Sequence, residues 1–328
     1  MSEQKKHRLA LIGARGYTGR ELLGLLAVHP GIELALAASN AQAGQPIADE
    51  VPEWPDPDEQ FVELDPERVA EVDADVWVLA VPNGMSAPWV EAIENAHPKA
   101  LIVDLGADYR FDRDWIYGLT EFNRDALKRA RRISNPGCYA TGAQFGLLPL
   151  REALIAPPVV FGVSGYSGAG RTPSPRNDPA RLRENLIPYA LTGHVHEQEI
   201  SAHLARPVRF HPHVAAFFRG ISLTIAVELS APVSAESLKA DFDTRFGREP
   251  LVRVRSDVPE IASLGPRTGI EIGGFSVDPR DARRASFVVV LDNLLKGAAS
   301  QALQNINLAL GLAELAGVAS RNSMLSEA

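Results

Sequence analysis

Residues 8–38 place the strongest constraint on the fold. Arg8-Leu-Ala-Leu-Ile12 is an apolar run too short for a helix, and Gly13-Ala-Arg-Gly16-Tyr-Thr-Gly19 follows it. Leu22, Leu23, Leu25 and Leu26 then recur at helical spacing until His29-Pro30-Gly31, and Ile32–Ala38 reads as a second strand. Strand, glycine turn, helix and strand within about 30 residues make a βαβ unit, the opening of a doubly wound sheet.

Glycine in such a turn lets backbone amides approach a pyrophosphate at the helix N-terminus, where the dipole favours anions. Gly13, Arg15, Gly16, Tyr17, Thr18 and Gly19 form the candidate cradle. Their spacing is G-x-x-G-x-x-G rather than G-x-G-x-x-G, so the motif alone leaves open a turn that binds nothing. An NAD site expects an acid at the end of the second strand to hold the ribose 2′-hydroxyl. Here that strand ends Ala37-Ala-Ser39-Asn40, and Glu33 stands at its start. NADP is favoured, with Ser39 and Arg15 as candidate contacts to the 2′-phosphate.

Val76–Val81, Ala100–Asp104 and Arg131–Ser134 continue as strands, with a helix over Ala87–Ala96. Such alternation predicts an α/β fold with a Rossmann-type, mostly parallel sheet. After about residue 155 the pattern changes. A strand at Val159–Val163 leads into a Gly/Ser/Pro stretch from Ser164 to Pro179, and loops of that length are functional or disordered. Strands then follow near 208–210, 221–229, 251–254, 269–277 and 286–291, with one helix at 235–246 that Ser234 would cap. Gly297 to Leu315 reads as a long apolar helix returning to the first domain. The expected organisation is an NADP-binding domain over 1–150 plus 297–328, and an α+β catalytic or oligomerisation domain over 151–296.

Composition excludes several classes. Lys and Arg number 33 against 41 Asp and Glu, a net charge of −8 that argues against a nucleic-acid partner. No apolar run reaches the ~18 residues of a membrane span. The polar, basic start from Met1 to Leu9 carries no signal-peptide core, so a cytoplasmic protein is expected. A single cysteine, Cys138, rules out an intramolecular disulfide and a four-thiolate zinc site.

Cys138 follows the turn Asn135-Pro136-Gly137 and precedes a stretch that can be helical. A thiolate in the first turn of a helix is stabilised by the amide dipole, whereas inert burial is the usual fate of a free cysteine. A nucleophilic thiol needs a proton partner, and His194-Val-His196 with Glu197 and Glu199 supplies imidazoles and carboxylates close together. An extended segment would put both histidines on one face, and a helix start would make them diverge. The same pair, with His211 and His213, could instead bind a metal, or simply cap and face solvent.

These residues together resemble the N-acetyl-gamma-glutamyl-phosphate reductases, acyl-phosphate reductases of arginine biosynthesis. The resemblance runs in order through Gly13–Gly19, Asn135-Pro-Gly-Cys-Tyr-Ala-Thr141, Ser167-Gly-Ala-Gly-Arg171, His194–Ile200, Phe218-Arg-Gly-Ile221 and Asp292–Asn305. It implies Cys138 as nucleophile, His196 as general acid/base, Glu199 as its orienting carboxylate and Tyr189 as a helper. It adds Pro82, Asn83, Gly168 and Asn293 to the cofactor contacts, and Asn135, Arg110, Arg171 and Arg219 to the substrate contacts. A homo-oligomer, tetramer or dimer, follows as an expectation, and contact with the kinase that supplies an unstable acyl phosphate stays open. The family pattern has Pro at Ala140, Arg at Val195 and Pro at Gln198, so a family arginine between the histidines is missing here. Alternatives are an aspartate-semialdehyde dehydrogenase or a carrier-linked glutamyl-phosphate reductase, and, from other classes, a metal-dependent hydrolase or an NADP-binding redox sensor.

Overall fold

In the computed structural model, which describes residues 5–265 and 267–318, the first βαβ unit is β1 (His7–Ile12), α1 (Tyr17–Leu26) and β2 (Ile32–Ala38). It continues through β3 (Val76–Leu79), α2 (Ala87–Ala96), β4 (Leu101–Asp104), β5 (Ile116–Tyr117), α3 (Thr120–Leu127) and β6 (Arg132–Ser134). All pairings in this sheet are parallel, in the order β2-β1-β3-β4-β6-β5. The chain order reverses at β1, which lies between β2 and β3. In open α/β sheets a ligand binds beyond the strand carboxyl ends at such a switch point, and here the glycine turn leaves β1. Leu9, Leu11, Trp77 and Val78 are wholly buried, which explains why these strands read as continuous apolar runs.

The second unit comprises α4 (Cys138–Leu147), β7 (Val159–Gly165), α5 (Pro179–Leu182), β8 (Leu186–Pro188) and α6 (Val195–Leu204). It goes on through β9 (Arg209–Ala215), β10 (Ile221–Glu228), α7 (Ala235–Phe246), β11 (Val252–Val254), β12 (Ile270–Val277) and β13 (Arg284–Leu291). Its sheet is mixed, in the order β11-β12-β13-β10-β7-β9-β8. Strand β10 alternates buried and less buried residues, as does β13 until its buried end at Val289–Leu291, the pattern of a sheet covered on one face. Ser234 caps α7 in a reciprocal capping box with Ser237, as its position suggested. The fold class read from the sequence, a Rossmann-type sheet and a second α+β unit, is the one observed.

Two boundaries differ from expectation. The first division between the units falls at Pro136/Gly137 rather than near residue 150, while the second, at Gly297/Ala298, lies one residue from the expected position. Helix α4 lies against the second sheet because it carries glycines one turn apart: a Cβ at Gly142 would stand 2.7 Å from Leu223 Cδ1, and one at Gly146 would stand 2.5 Å from Ile225 Cδ1. The long C-terminal helix is shorter than expected. A π-helical turn, Leu295–Ala299, precedes α8 (Ser300–Ala309), which stops before Gly311 at φ +71°. Residues 319–328 of the segment expected to complete the first domain lie outside the described residues. Helix α8 is buried on all sides, its apolar Leu303 and Ile306 accompanied by Gln301, Gln304, Asn305 and Asn307. Asn305 donates to Gly118 O at 2.8 Å, Asn307 meets the ring of His29 at 3.0 Å, and Gln301 donates to Gly118 O at 2.7 Å.

Candidate active site

At the glycine turn each glycine has a different reason. Gly13 sits at φ +81°, and a Cβ there would stand 2.4 Å from Ala80 O on the neighbouring strand's exit. A Cβ at Gly19 would stand 2.5 Å from Ala14 O. Gly16 is required by neither consideration: its backbone is at φ −59°, ψ 155°, and a Cβ would find Gly13 O at an ordinary 3.6 Å. What glycine leaves there is a bare approach to the first turn of α1, which has no side-chain cap and no acidic residue. Those are the conditions an anionic pyrophosphate needs. At the end of β2, Ser39 is 7% exposed and donates its N–H to Val62 O, and Arg15 and Asn40 are exposed. These residues fit a dinucleotide with a 2′-phosphate. The loop after β3 exposes Pro82 and Asn83 and is braced from below. Asn83 accepts the Ala107 N–H at 3.1 Å, Asp108 accepts those of Gly84 and Ser86, and buried Asp104 accepts the Ser86 hydroxyl.

In the second unit, Cys138 is the first residue of α4 and is partly exposed. It lines a cavity of about 170 Å³ together with Tyr139, Ser164, Gly168, Arg176, Tyr189, His194, Val195 and His196. Three elements converge there. Helix α6 begins at Val195 with His194 as its N-cap, and His194 Nδ1 accepts the His196 N–H at 3.0 Å. The two imidazoles nevertheless stay together, with ring centroids 4.8 Å apart, because the cap turn folds His194 back over the helix start. Tyr139, on α4, meets the His196 ring edge-on at 5.9 Å and donates its hydroxyl to His213 O at 2.7 Å. Behind the thiol, a Cβ at Gly297 would stand 2.7 Å from the Cys138 Cβ, so the π-helical turn is pressed against the cysteine.

Electrostatics separates the groups. Burial, reinforced by the Arg176 charge, pushes the His194 pKa down to about 4, so His194 is neutral and its Nδ1 is committed as an acceptor. Burial and the charge of Cys138 push Tyr189 up to about 12, so its phenol stays protonated. Glu199 is wholly buried and accepts the Gly137 N–H at 2.9 Å, which ties α6 to the residue just before the thiol. Sequence spacing gave no hint of that contact.

Several expected contacts are engaged elsewhere. Arg110 is 7% exposed and donates to the carbonyls of Asn135 and Leu105. Asn135, 1% exposed, donates to Ala298 O and accepts from Asn305. Both therefore brace the turn before Cys138. Arg219 is paired with wholly buried Asp292, its terminal nitrogen 2.8 Å from Oδ1. Asn293 is 3% exposed and spends its amide on Gly220 N–H and the Ser167 hydroxyl. Arg171 is exposed and does not line the cavity, whereas Arg176, which the sequence reading passed over, does. Among the described residues no cluster of three His, Cys, Asp or Glu side chains is arranged to hold a metal, and no helix is long and apolar enough to cross a membrane.

Comparison with known proteins covers both units. Residues 8–130 match the semialdehyde dehydrogenase NAD-binding domain, and residues 138–293 the semialdehyde dehydrogenase dimerisation domain. N-acetyl-gamma-glutamyl-phosphate reductase of Xanthomonas campestris pv. campestris (strain B100) is 48% identical over 94% of this chain and 98% of its own. The protein of the same name from Xylella fastidiosa (strain M23) is 51% identical over 94% of each. Among solved structures, aspartate semialdehyde dehydrogenase II of Vibrio cholerae, complexed with ASA, superposes with a TM-score of 0.76 at 20% identity, over 94% of this chain and 99% of that one. The aspartate semialdehyde dehydrogenase of Candida albicans with NADP gives 0.70 at 17% identity, over 96% and 99%.

Proposed function

The chain belongs to the N-acetyl-gamma-glutamyl-phosphate reductase family, and from that premise we propose that it reduces N-acetyl-gamma-glutamyl phosphate to the semialdehyde and phosphate with NADPH, in arginine biosynthesis. The observation that carries this reading is the single thiol at the start of α4, in one cavity with two imidazoles. The bare first turn of α1 supports the cofactor half: Gly13, Gly16 and Gly19 hold the pyrophosphate, and Ser39 and Arg15 the 2′-phosphate.

The Cys138 thiolate, favoured by the α4 dipole, attacks the acyl carbon. A carbon–sulfur bond forms, the carbon–oxygen bond to phosphate breaks, and phosphate leaves with the electron pair. Bound NADPH supplies the hydride that reduces the resulting thioester. His196 donates a proton to the thioester oxygen during reduction, and takes it back when the carbon–sulfur bond breaks and the aldehyde forms. His194 is not the donor, since near neutral pH it lacks the extra proton and its Nδ1 caps a helix. Glu199 acts on the thiol's own turn through Gly137, and Tyr189 contributes a protonated wall.

The protein works as a homo-oligomer. Support comes from the match of its second unit to a domain described as dimerising, and from Phe161, 39% exposed on β7 directly opposite exposed Thr224 on β10. The decisive assay is phosphate-dependent NADP⁺ reduction with N-acetylglutamate semialdehyde, with mass spectrometry of the trapped intermediate. An acyl adduct on Cys138 is expected. Turnover with aspartate semialdehyde in preference, or turnover without an adduct, overturns the reading.

A further inference from the structure

The loop between β7 and α5 is built around one side chain. Asn177 donates to the carbonyls of Gly170 and Thr172, both at 2.8 Å, and its Oδ1 accepts the Ser174 N–H at 2.7 Å. Ser174 in turn accepts the Arg176 N–H at 3.3 Å. This knot of hydrogen bonds turns the chain so that the Arg176 guanidinium lies over the Tyr189 ring, 4.9 Å from its centroid, at the wall of the cavity that holds Cys138. Arg176 is the one arginine or lysine among the cavity's lining residues. Its charge is felt across the site: it pulls Tyr189 down against the upward push of Cys138, and it helps keep His194 neutral.

We propose that Arg176 is the specificity-determining residue of this cavity, the cation that holds the carboxylate of the substrate. This rests on the acyl-phosphate reading above for the identity of that substrate. Such a substrate brings two anionic groups. The phosphate sits on the carbon that the thiol attacks, beside the first residue of α4, and leaves when the thioester forms. The carboxylate is left for the cavity's own side-chain cation. A guanidinium held over a ring carries several N–H donors in a rigid fork, the geometry that pairs with a carboxylate, and the ring contact limits the entropy lost on binding. With Arg110 and Arg219 tied to internal partners, Arg176 takes over the anchoring role expected of them.

The single cysteine provides a test that does not depend on turnover. Iodoacetate and iodoacetamide both alkylate Cys138 by the same step, in which the sulfur–carbon bond forms and iodide leaves, but only the former carries a carboxylate. The ratio of their rates cancels any change in thiol ionisation. In Arg176→Ala that ratio is expected to fall about tenfold, the lower end for a lost charge-assisted hydrogen bond, with Arg176→Lys keeping part of it. An unchanged ratio overturns the proposal. In the phosphate-dependent assay the same Ala variant should raise KM for the semialdehyde about ten- to a hundredfold, with KM for phosphate little altered. A rise confined to phosphate overturns the carboxylate assignment. Wild-type protein that shows no phosphate-dependent turnover sinks the acyl-phosphate reading, while the alkylation ratio still decides the anion-selecting role.

Discussion

Two helices in this protein start from a glycine turn after a parallel strand, and they treat the positive end of the dipole in opposite ways. At α1 the N-terminus is bare: Gly16 caps it without a side chain, and the first turn holds no acid. At α4 the protein supplies its own acceptor, because the Glu199 side chain reaches across from α6 to accept the Gly137 N–H. The open end suits a diffusible ligand that must come and go. The closed end fixes a resident nucleophile, and Gly297 presses on its other side. The same local physics serves recognition in one place and preorganisation in the other.

The sharpest break between the two ends is Cys138→Ser. Reduction should fall by at least about 10⁴-fold while NADPH binding, followed by fluorescence titration, stays at wild-type strength. Loss of both together would mean that the ends are not functionally separable. His196→Asn is next, with an expected cost of roughly 10²–10⁴ in kcat, and a loss below tenfold would move the proton to another group.

Gly16→Asp inverts the open end. The new carboxylate suits the helix dipole and should leave the melting temperature level or higher, yet weaken NADPH binding roughly ten- to a hundredfold. A variant that binds normally would show that the pyrophosphate does not use this turn. At the closed end, Glu199→Ala strands a buried N–H and should lower stability by about 1–3 kcal/mol in urea unfolding, whereas Glu199→Gln, which keeps an acceptor oxygen, should lose less.

The smallest effect is a pH slope. His194 titrates near 4 in the folded protein against 6.5 as its ordinary value, so below 6.5 the unfolded chain takes up a proton that the native one refuses. Its contribution to stability is complete above pH 6.5 and is lost as pH falls towards 4. His194→Asn keeps a capping acceptor and should flatten the slope over that window, as read by unfolding midpoints at several pH values.

What the sequence revealed follows the range of the forces involved. The βαβ opening, the helix at Cys138 and the Ser234 capping box rest on neighbours within a few residues, and all were legible. Strands β5 and β8, with two and three residues, carry too little pattern to be seen. The basic side chains were the harder problem. Arg110, Arg171, Arg176 and Arg219 look alike in a sequence, and only tertiary structure shows that Asn135 and Leu105 occupy the first, Asp292 occupies the last, and Arg176 lines the cavity that Cys138 also lines. Glu199 stood out in the sequence beside the two histidines, but its reach to a backbone amide more than 60 positions earlier has no local signal.

The partly exposed sulfur of Cys138 also sets how this protein responds to oxidants. Peroxide would convert it to a sulfenic acid, and a chain with one cysteine has no second thiol to trap that state as an internal disulfide. Recovery then depends on small thiols such as glutathione reaching the site before oxidation proceeds to the sulfinic form, so a group kept accessible for turnover is equally accessible to irreversible damage.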